Sequence, residues 1–431
     1  MTRLRHIGLA AALVPGIALP AGMVPAMAAG KPAEKHAPQP KKAEPAKPAA
    51  APQPPEPEPQ DDFQLPEGVR SPYDMMRELR QLQDRIAQGD TEAVVKQRQM
   101  TDAMLEAFGK LDDRVWRDPR NGRAILAFVL SGGDPQALRN LLLRRQPRSI
   151  DGNLARAVHA FVSGRRGEAL EHFGKLNALA LDPSIAGQVA LAQSELLARS
   201  DPVKSLERLD QARLLAPGTL IEEAALRRQI GLLSARKEFA PADKYTEIYF
   251  RRFPRSAYAT TLKRQVVRFA MDRPPIGAEA PMGPLVAALD RLGANAQLEM
   301  YLEMAREAVA RARRDMVMFA AEKALSLAKA GTVYEARAKI YLNAMHAASL
   351  GANEAREALE ALKERTENRE DQELIAVSQA IAHEVRTLST VMPSKTPDAQ
   401  WVNELGEAFA NVGRSQALIA NADKLLAEAQ K

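Results

Sequence analysis

The sequence predicts an all-α protein made of tetratricopeptide-like helix-pair repeats, an α-solenoid, behind a signal peptide and a disordered proline-rich linker. Three observations carry that prediction. The chain is 46% apolar but only 5% aromatic, with alanine and leucine dominant, which favours helix because strong strand formers are scarce. Apolar residues recur at helical rather than alternating spacing through the body of the chain. Pro183, Pro217 and Pro254 each close a helix pair, at intervals near the roughly 34 residues of a tetratricopeptide unit. Each such unit has an apolar face that it cannot bury alone, so it stacks on a neighbour.

Length and charge narrow the class further. The 431 residues exceed what one compact core supports, so two lobes or a solenoid are expected. A net charge of +6 and a pI near 9.4 are modest for this length and do not give the dense basic field of a nucleic-acid binder. There is no cysteine, which excludes a disulfide framework and any cysteine-ligated zinc or iron–sulfur site. That absence also suits an oxidising compartment.

Residues 1–28 read as a secretory signal. Arg3, Arg5 and His6 precede an apolar run from Ile7 to Met23, and Ala26-Met27-Ala28 is a small-residue site, which places cleavage between Ala28 and Ala29. The competing reading is a membrane-spanning helix. Pro15 and Pro20 interrupt the run, and it falls short of the about 20 residues a span needs. No later stretch reaches the about 18 uncharged apolar residues of a candidate span, so the mature chain is expected to be soluble, and the signal places it in the periplasm. Residues 29–62 are rich in Pro, Ala, Lys and Glu and have too little apolar surface to fold. They serve as a tether or as a passive leader.

The helical repeat lobe is read over 63–272. Ser71-Pro72-Tyr73-Asp74 is a helix start, in which Ser71 caps and Pro72 occupies the first helical position. Met75, Leu79, Leu82 and Ile86 then share one face, and Gly89 stops the helix. A second helix is expected over Thr91–Phe108. Asp118-Pro119 opens a third, whose Ala124–Leu130 run is apolar on every side and therefore buried. Ser131-Gly132-Gly133-Asp134-Pro135 is a turn into Leu138–Leu143. A phosphate loop would need a preceding strand and a following Gly-Lys-Ser/Thr, and neither is there.

The first repeat pair places Leu154, Ala155, Val158, Phe161 and Val162 on one stripe and Ala169, Leu170, Phe173 and Leu176 on the next. The second runs over Val189–Leu197 and Val203–Leu215, with Ser205, Leu209, Ala212 and Pro217 at the small, large, small and proline positions of the repeat. The third pairs Ile221–Leu233 with a stripe of Ala242, Tyr245, Ile248 and Tyr249. The segment 273–284 holds Pro274, Pro275, Pro281 and Pro284 and reads as a hinge or long loop. A second helical lobe follows over 285–392, with helices near 285–293, 297–312, 315–330, 333–350, 353–365 and 371–388. Residues 393–431 hold two short helices, from Trp401 and from Arg414, expected to cap the end of the solenoid.

Candidate chemistry is sparse. The six histidines make no His-Glu-x-x-His pattern, and His159 with His172 falls short of the three protein ligands usual for catalytic zinc. No Gly-x-Ser-x-Gly turn presents a nucleophile. Catalytic and metal residues are therefore read as none, and no cofactor is expected. The paired arginines Arg144-Arg145, Arg165-Arg166, Arg227-Arg228 and Arg251-Arg252 read either as solvated faces or as a basic strip for an acidic partner. The candidate binding residues are Arg165, Arg166, Arg227, Arg228, Arg251 and Arg252. Arg227 is alternatively structural, spanning a helix pair.

The run Leu209-Asp210-Gln211-Ala212-Arg213-Leu214-Leu215-Ala216-Pro217-Gly218-Thr219-Leu220-Ile221-Glu222-Glu223-Ala224-Ala225-Leu226-Arg227-Arg228 resembles a segment of the MotC family of periplasmic motility proteins. Tyr73, Leu79 to Gly89-Asp90, Arg120-Asn121 and the Ser131-Gly132-Gly133 turn are similar as well. The resemblance covers about 70–270 and extends beyond that by length and helical composition. It implies an exported protein, not an enzyme, that binds the periplasmic part of the flagellar stator subunit MotB and is helped to fold by a MotE-type chaperone. It carries over no set of binding residues. Two other functions fit the same residues: a general scaffold for envelope or wall-synthesis complexes, and a wall-cleaving enzyme whose catalytic lobe lies in the less patterned segments.

Overall fold

The computed structural model describes residues 65–145, 150–276, 282–348 and 351–391. The signal segment with its Ala28–Ala29 cleavage, the linker 29–62, residues 277–281 of the proline-rich segment and the C-terminal helices of 393–431 lie outside the described residues. So do the side chains of Arg144 and Arg145. Among the described residues the chain is helical throughout, with seventeen α-helices, two short 3-10 turns and no strand. It forms two compact units, one reaching to Leu232 and including Arg252–Tyr258, the other comprising Leu233–Arg251 and the chain from Ala259 onward.

The first unit begins as its capping residues dictate. Helix α1 spans Pro72–Ala87. The Ser71 hydroxyl accepts the Asp74 amide at 3.0 Å and Pro72, which has no amide hydrogen to satisfy, takes the first turn. Met75, Leu79, Leu82 and Ile86 are all buried, as their spacing predicts. Helix α2 spans Thr91–Lys110 with Asp90 as its cap, and α3 spans Pro119–Leu130 with Asp118 capping the Arg120 amide at 2.8 Å. Every residue from Ala124 to Leu130 is buried. The reason is visible in the packing, since α3 touches α1, a 3-10 turn over Asp113–Arg117, α4 (Pro135–Arg145), α5 (Gly152–Val162) and α7 (Pro183–Leu197). Phe108 sits edge-on between Trp116 and Phe128, with ring centroids at 5.8 and 5.1 Å. Such pairs add about 0.5–1.5 kcal/mol beyond the area they bury.

Successive helices then pack in pairs. Helix α6 (Arg166–Gly174) lies on α5, and α8 (Pro202–Leu215) lies on α7. Ser205, Leu209 and Ala212 are buried against α7, and the Ser205 hydroxyl donates to the Ser194 carbonyl at 2.8 Å. Gln193 ties α7 back to the end of α6 by donating to the carbonyls of Phe173 and Leu176. One expectation changes. Pro183 opens α7 rather than closing the pair before it, because Asp182 caps the Ser184 amide and a proline ring fits the first helical turn. Pro217 stands in the turn before α9 (Leu220–Ala235), and Pro254 follows α10 (Phe239–Arg252).

The second unit contains most of α10, then α11 (Ala259–Met271), α12 (Gly283–Leu289), α13 (Ala294–Ala310), α14 (Arg314–Leu327), α15 (Val333–His346), α16 (Ala352–Lys363) and α17 (Arg369–Val391). From α13 onward each helix packs on the next in the chain, and α15 also touches α13 and α17. Its buried apolar residues are mainly alanine and leucine, with Tyr301 and Tyr341 among the larger ones. The first turn of α14 is pinned electrostatically. Arg313 donates to the carbonyls of Met271 and Arg273, both at 2.8 Å, and pairs with Asp315, which also accepts the Ile276 amide at 2.9 Å. The Arg313 hydrogen bond, with this amide, holds the Asp315 carboxyl at about 2.

Two outcomes follow from this packing. Gly89 has φ +103°, and a Cβ there would lie 2.3 Å from the Arg255 carbonyl oxygen, whereas Gly218 has φ +79° and open space around it. Gly218→Ala should cost only the left-handed strain of about 1–2 kcal/mol, and Gly89→Ala should cost clearly more in denaturant melts. The folded-state pKa of Asp315 is depressed from 3.8, so its contribution to stability is complete above that value and is lost as pH falls toward 2. Acid titration of stability for Asp315→Asn therefore lacks the part of the decline that the wild type shows over this window.

Candidate functional site

A dense polar cluster of the first unit lies on Leu209–Arg228. This run is the second half of α8, a turn over 216–219 and the start of α9. The turn closes locally. Thr219 donates its hydroxyl to the Ala216 carbonyl at 2.7 Å, and Gly218 takes the left-handed conformation. Glu222 reaches back to accept the Gly218 amide at 2.6 Å, which satisfies a donor left over at the helix start. Leu220 donates its amide to Asp84 of α1 at 3.4 Å, and burial raises the Asp84 carboxyl above its usual range.

Four ion pairs radiate from this point. Glu222 is buried and takes Arg252 at 2.7 Å. Glu223 is fully buried, accepts the Arg227 Nε at 2.9 and 3.0 Å on its two oxygens, and accepts the Ser256 hydroxyl at 3.1 Å. The Arg227 guanidinium also lies over the Tyr258 ring at 4.5 Å, and burial raises the Tyr258 phenol. Arg228 pairs with Glu195 of α7 at 2.9 Å and donates to the Leu191 carbonyl at 3.3 Å, while burial pulls its guanidinium below the ordinary value. Asp210 takes Arg213 at 3.0 Å and Gln229 at 2.7 Å. The cluster thus joins α7, α8, α9 and the segment Arg252–Tyr258, and each of these groups meets a partner within the same chain.

The candidate arginines separate by environment. Arg227 and Arg228 are half-buried and committed to Glu223 and Glu195. Arg165, Arg166, Arg251 and Arg252 are exposed. Arg165 contacts Glu168 at 2.7 Å and the Nδ1 of His159 at 2.7 Å, and burial, then Arg165, lowers the pKa of that histidine. Arg166 donates to the Leu196 carbonyl. Arg251 stands 4.0 Å from Glu247. Arg251 belongs to the second unit and the other five to the first. Residue spacing missed the carboxylates that hold these arginines, although Glu223 and Arg227 stand at the i, i+4 distance that a helix makes adjacent.

Among the described residues no group of three or more His, Cys, Asp or Glu side chains could hold a metal ion, and no helix is long and apolar enough to cross a membrane. A concavity of about 190 Å³ in the second unit is lined by Glu299, Glu303, Arg306, Tyr334, Arg337 and Tyr341. That is below the roughly 300–1,000 Å³ of small-molecule sites, and a larger concavity of about 710 Å³ is an open surface lined by Arg356, Glu357, Glu360, Ala361, Lys363 and Glu364 along α16.

Fold and site together define, among the described residues, a helical protein in which the polar cluster on Leu209–Arg228 is an internal clasp. The chain belongs to the MotC family, whose sequence model, described as Chemotaxis protein MotC, matches residues 2–431. It is 30% identical over 258 residues to the chemotaxis protein MotC of Rhizobium meliloti (strain 1021). That alignment covers 60% of this chain and 59% of the relative. No solved structure matches the chain. The family places the chain among proteins of chemotaxis and motility.

The clasp has a measurable consequence. An exposed ion pair contributes about 0–1 kcal/mol, but removing one partner of a buried pair costs about 3–5 kcal/mol because a charge is left unpaired. Arg227→Ala should therefore lower stability in denaturant melts by several kcal/mol, little changed by salt. Arg251→Ala should leave the melt nearly unmoved.

Proposed function

We propose that this chain is an exported helical-repeat scaffold that binds the periplasmic part of a MotB-type stator subunit and supports or regulates flagellar motor rotation. The observation that carries the reading is the family match along residues 2–431. Three features support it. The packed pairs α5/α6, α7/α8, α13/α14 and α15/α16 are the units from which a tetratricopeptide-like solenoid is stacked. The charged, apolar and small-residue order of residues 1–28 fits export to the periplasm. The clasp on Leu209–Arg228 gives the segment that most resembles the family a role in holding the scaffold and engages Arg227, Arg228 and Arg252, which leaves Arg165, Arg166 and Arg251 as the candidate basic contacts.

On this reading the protein is not an enzyme, takes no cofactor and is assisted by a MotE-type chaperone. Binding to an acidic partner surface would be steered by the exposed arginines and weakened by salt.

Deleting the gene should leave flagella assembled while swimming slows or stops, and purified protein should retain the periplasmic part of the stator subunit on a column. A deletion strain that swims normally contradicts the reading. Retention of wall-synthesis machinery in place of the stator subunit would favour a general envelope scaffold.

A further inference from the structure

In the second unit α13, α15 and α17 form one row. α13 touches α15, α15 touches α17, and α14 and α16 each bridge two of these helices. Rows of this kind give helical-repeat proteins their extended binding surfaces. The concavity of Glu299, Glu303, Arg306, Tyr334, Arg337 and Tyr341 lies between α13 and α15 of this row.

Its charges are unequal. The Arg306 Nε donates to Glu303 at 3.0 Å, and the same guanidinium stands 3.7 Å from Glu370 of α17. Arg337 donates to Asp371 at 2.7 Å. The Arg306 hydrogen bond, with Arg337 and Arg264 nearby, holds the Glu303 carboxyl below its usual range. Three arginines thus face four carboxylates. The carboxylate left over is Glu299, which is exposed and in no ion pair among the described residues. Tyr334, on the same rim, is 44% exposed. A carboxylate beside an open aromatic ring is a seat for a cation.

The row continues into an apolar edge. Glu370 meets Arg306, so the side of α17 that carries it faces the same rim. Leu374, Val377 and Ile381 follow on that side at i+4, i+7 and i+11. Leu374 is half-buried against the core, but Val377 is 58% and Ile381 42% exposed. An exposed apolar patch bordered by charge marks a protein contact.

We propose that this row is the docking face for a segment of a partner protein that carries a lysine or arginine with apolar side chains beside it. The cation sits between Glu299 and Tyr334, and the apolar side chains cover Val377 and Ile381. Charge complementarity selects this occupant, since an acidic segment would be repelled by Glu299 and Glu370. The probe is the periplasmic part of the stator subunit, so the proposal rests on the reading given above and adds a contact separate from the exposed arginines.

Binding of that part to the full chain is measured by titration calorimetry. Val377→Asp/Ile381→Asp and Glu299→Gln/Tyr334→Ala change only exposed residues, so circular dichroism and melts should match wild type. Each pair should weaken binding by roughly tenfold or more. Because the chain has no cysteine, Val377→Cys gives a single site for an environment-sensitive dye, whose emission should shift to the blue when the stator part is added. Full affinity in either paired variant, or a dye that the bound stator part leaves unchanged, overturns the docking face while the stator reading stands. A dye already shielded in the chain alone also overturns it, by assigning the stripe to this chain or to a second copy. No binding by the wild type overturns the stator reading and the proposal together.

Discussion

Two adjacent carboxylates in the first turn of α9 set the terms for the first unit. Glu222 and Glu223 are both buried, in a position where isolated charge would cost several kcal/mol. The cost is offset by geometry. The start of α9 offers its own unpaired amides, of which Gly218 lies just outside the helix, and Arg252, Arg227 and Ser256 close on the two carboxylates. The carboxylates also suit the positive end of the helix dipole. The arginines come from α9 itself and from the chain about thirty residues on, so this arrangement requires Arg252–Tyr258 to return to the first unit. The division of the chain into its two units follows that return.

The same constraint changes the meaning of the arginine pairs. Read as a row of like residues, they suggest a basic strip. In the fold, Arg227 and Arg228 face opposite demands, one locked on Glu223 under Tyr258 and the other on Glu195 and the Leu191 carbonyl. Guanidinium groups suit such places because the planar fork can bond a carboxylate and stack on an aromatic ring at once. A family-resembling stretch can therefore mark architecture as readily as a binding face. The function proposed for the chain accordingly rests on family membership and helix pairing rather than on any one residue.

Much of the fold was legible because its signals are local. Ser71-Pro72, Asp118-Pro119 and Gly89 act through hydrogen bonds and backbone angles within a few residues, and each stands where the sequence implied. The Ala124–Leu130 run announced its burial because no side of it is polar. Pro183 misled because proline punctuates both ends of helices, and only the cap at Asp182 tells which. Helix α11 escaped notice because it lies between Pro254 and Pro274, where punctuation drew attention to boundaries instead of to Leu262, Val266 and Val267. The clasp was illegible for another reason. Its partners, such as Glu222 with Arg252 and Asp84 with Leu220, are far apart in the chain, and spacing alone cannot pair them.

The central claim is that the start of α9 is the fixed point of the first unit. Native-state hydrogen exchange on the amides of α9 from Ala224 to Arg228 tests it most directly. If the clasp holds the unit together, these amides open only with global unfolding and their protection matches the full stability of the protein. Exchange through local opening, at a free energy well below that of global unfolding, would contradict the account.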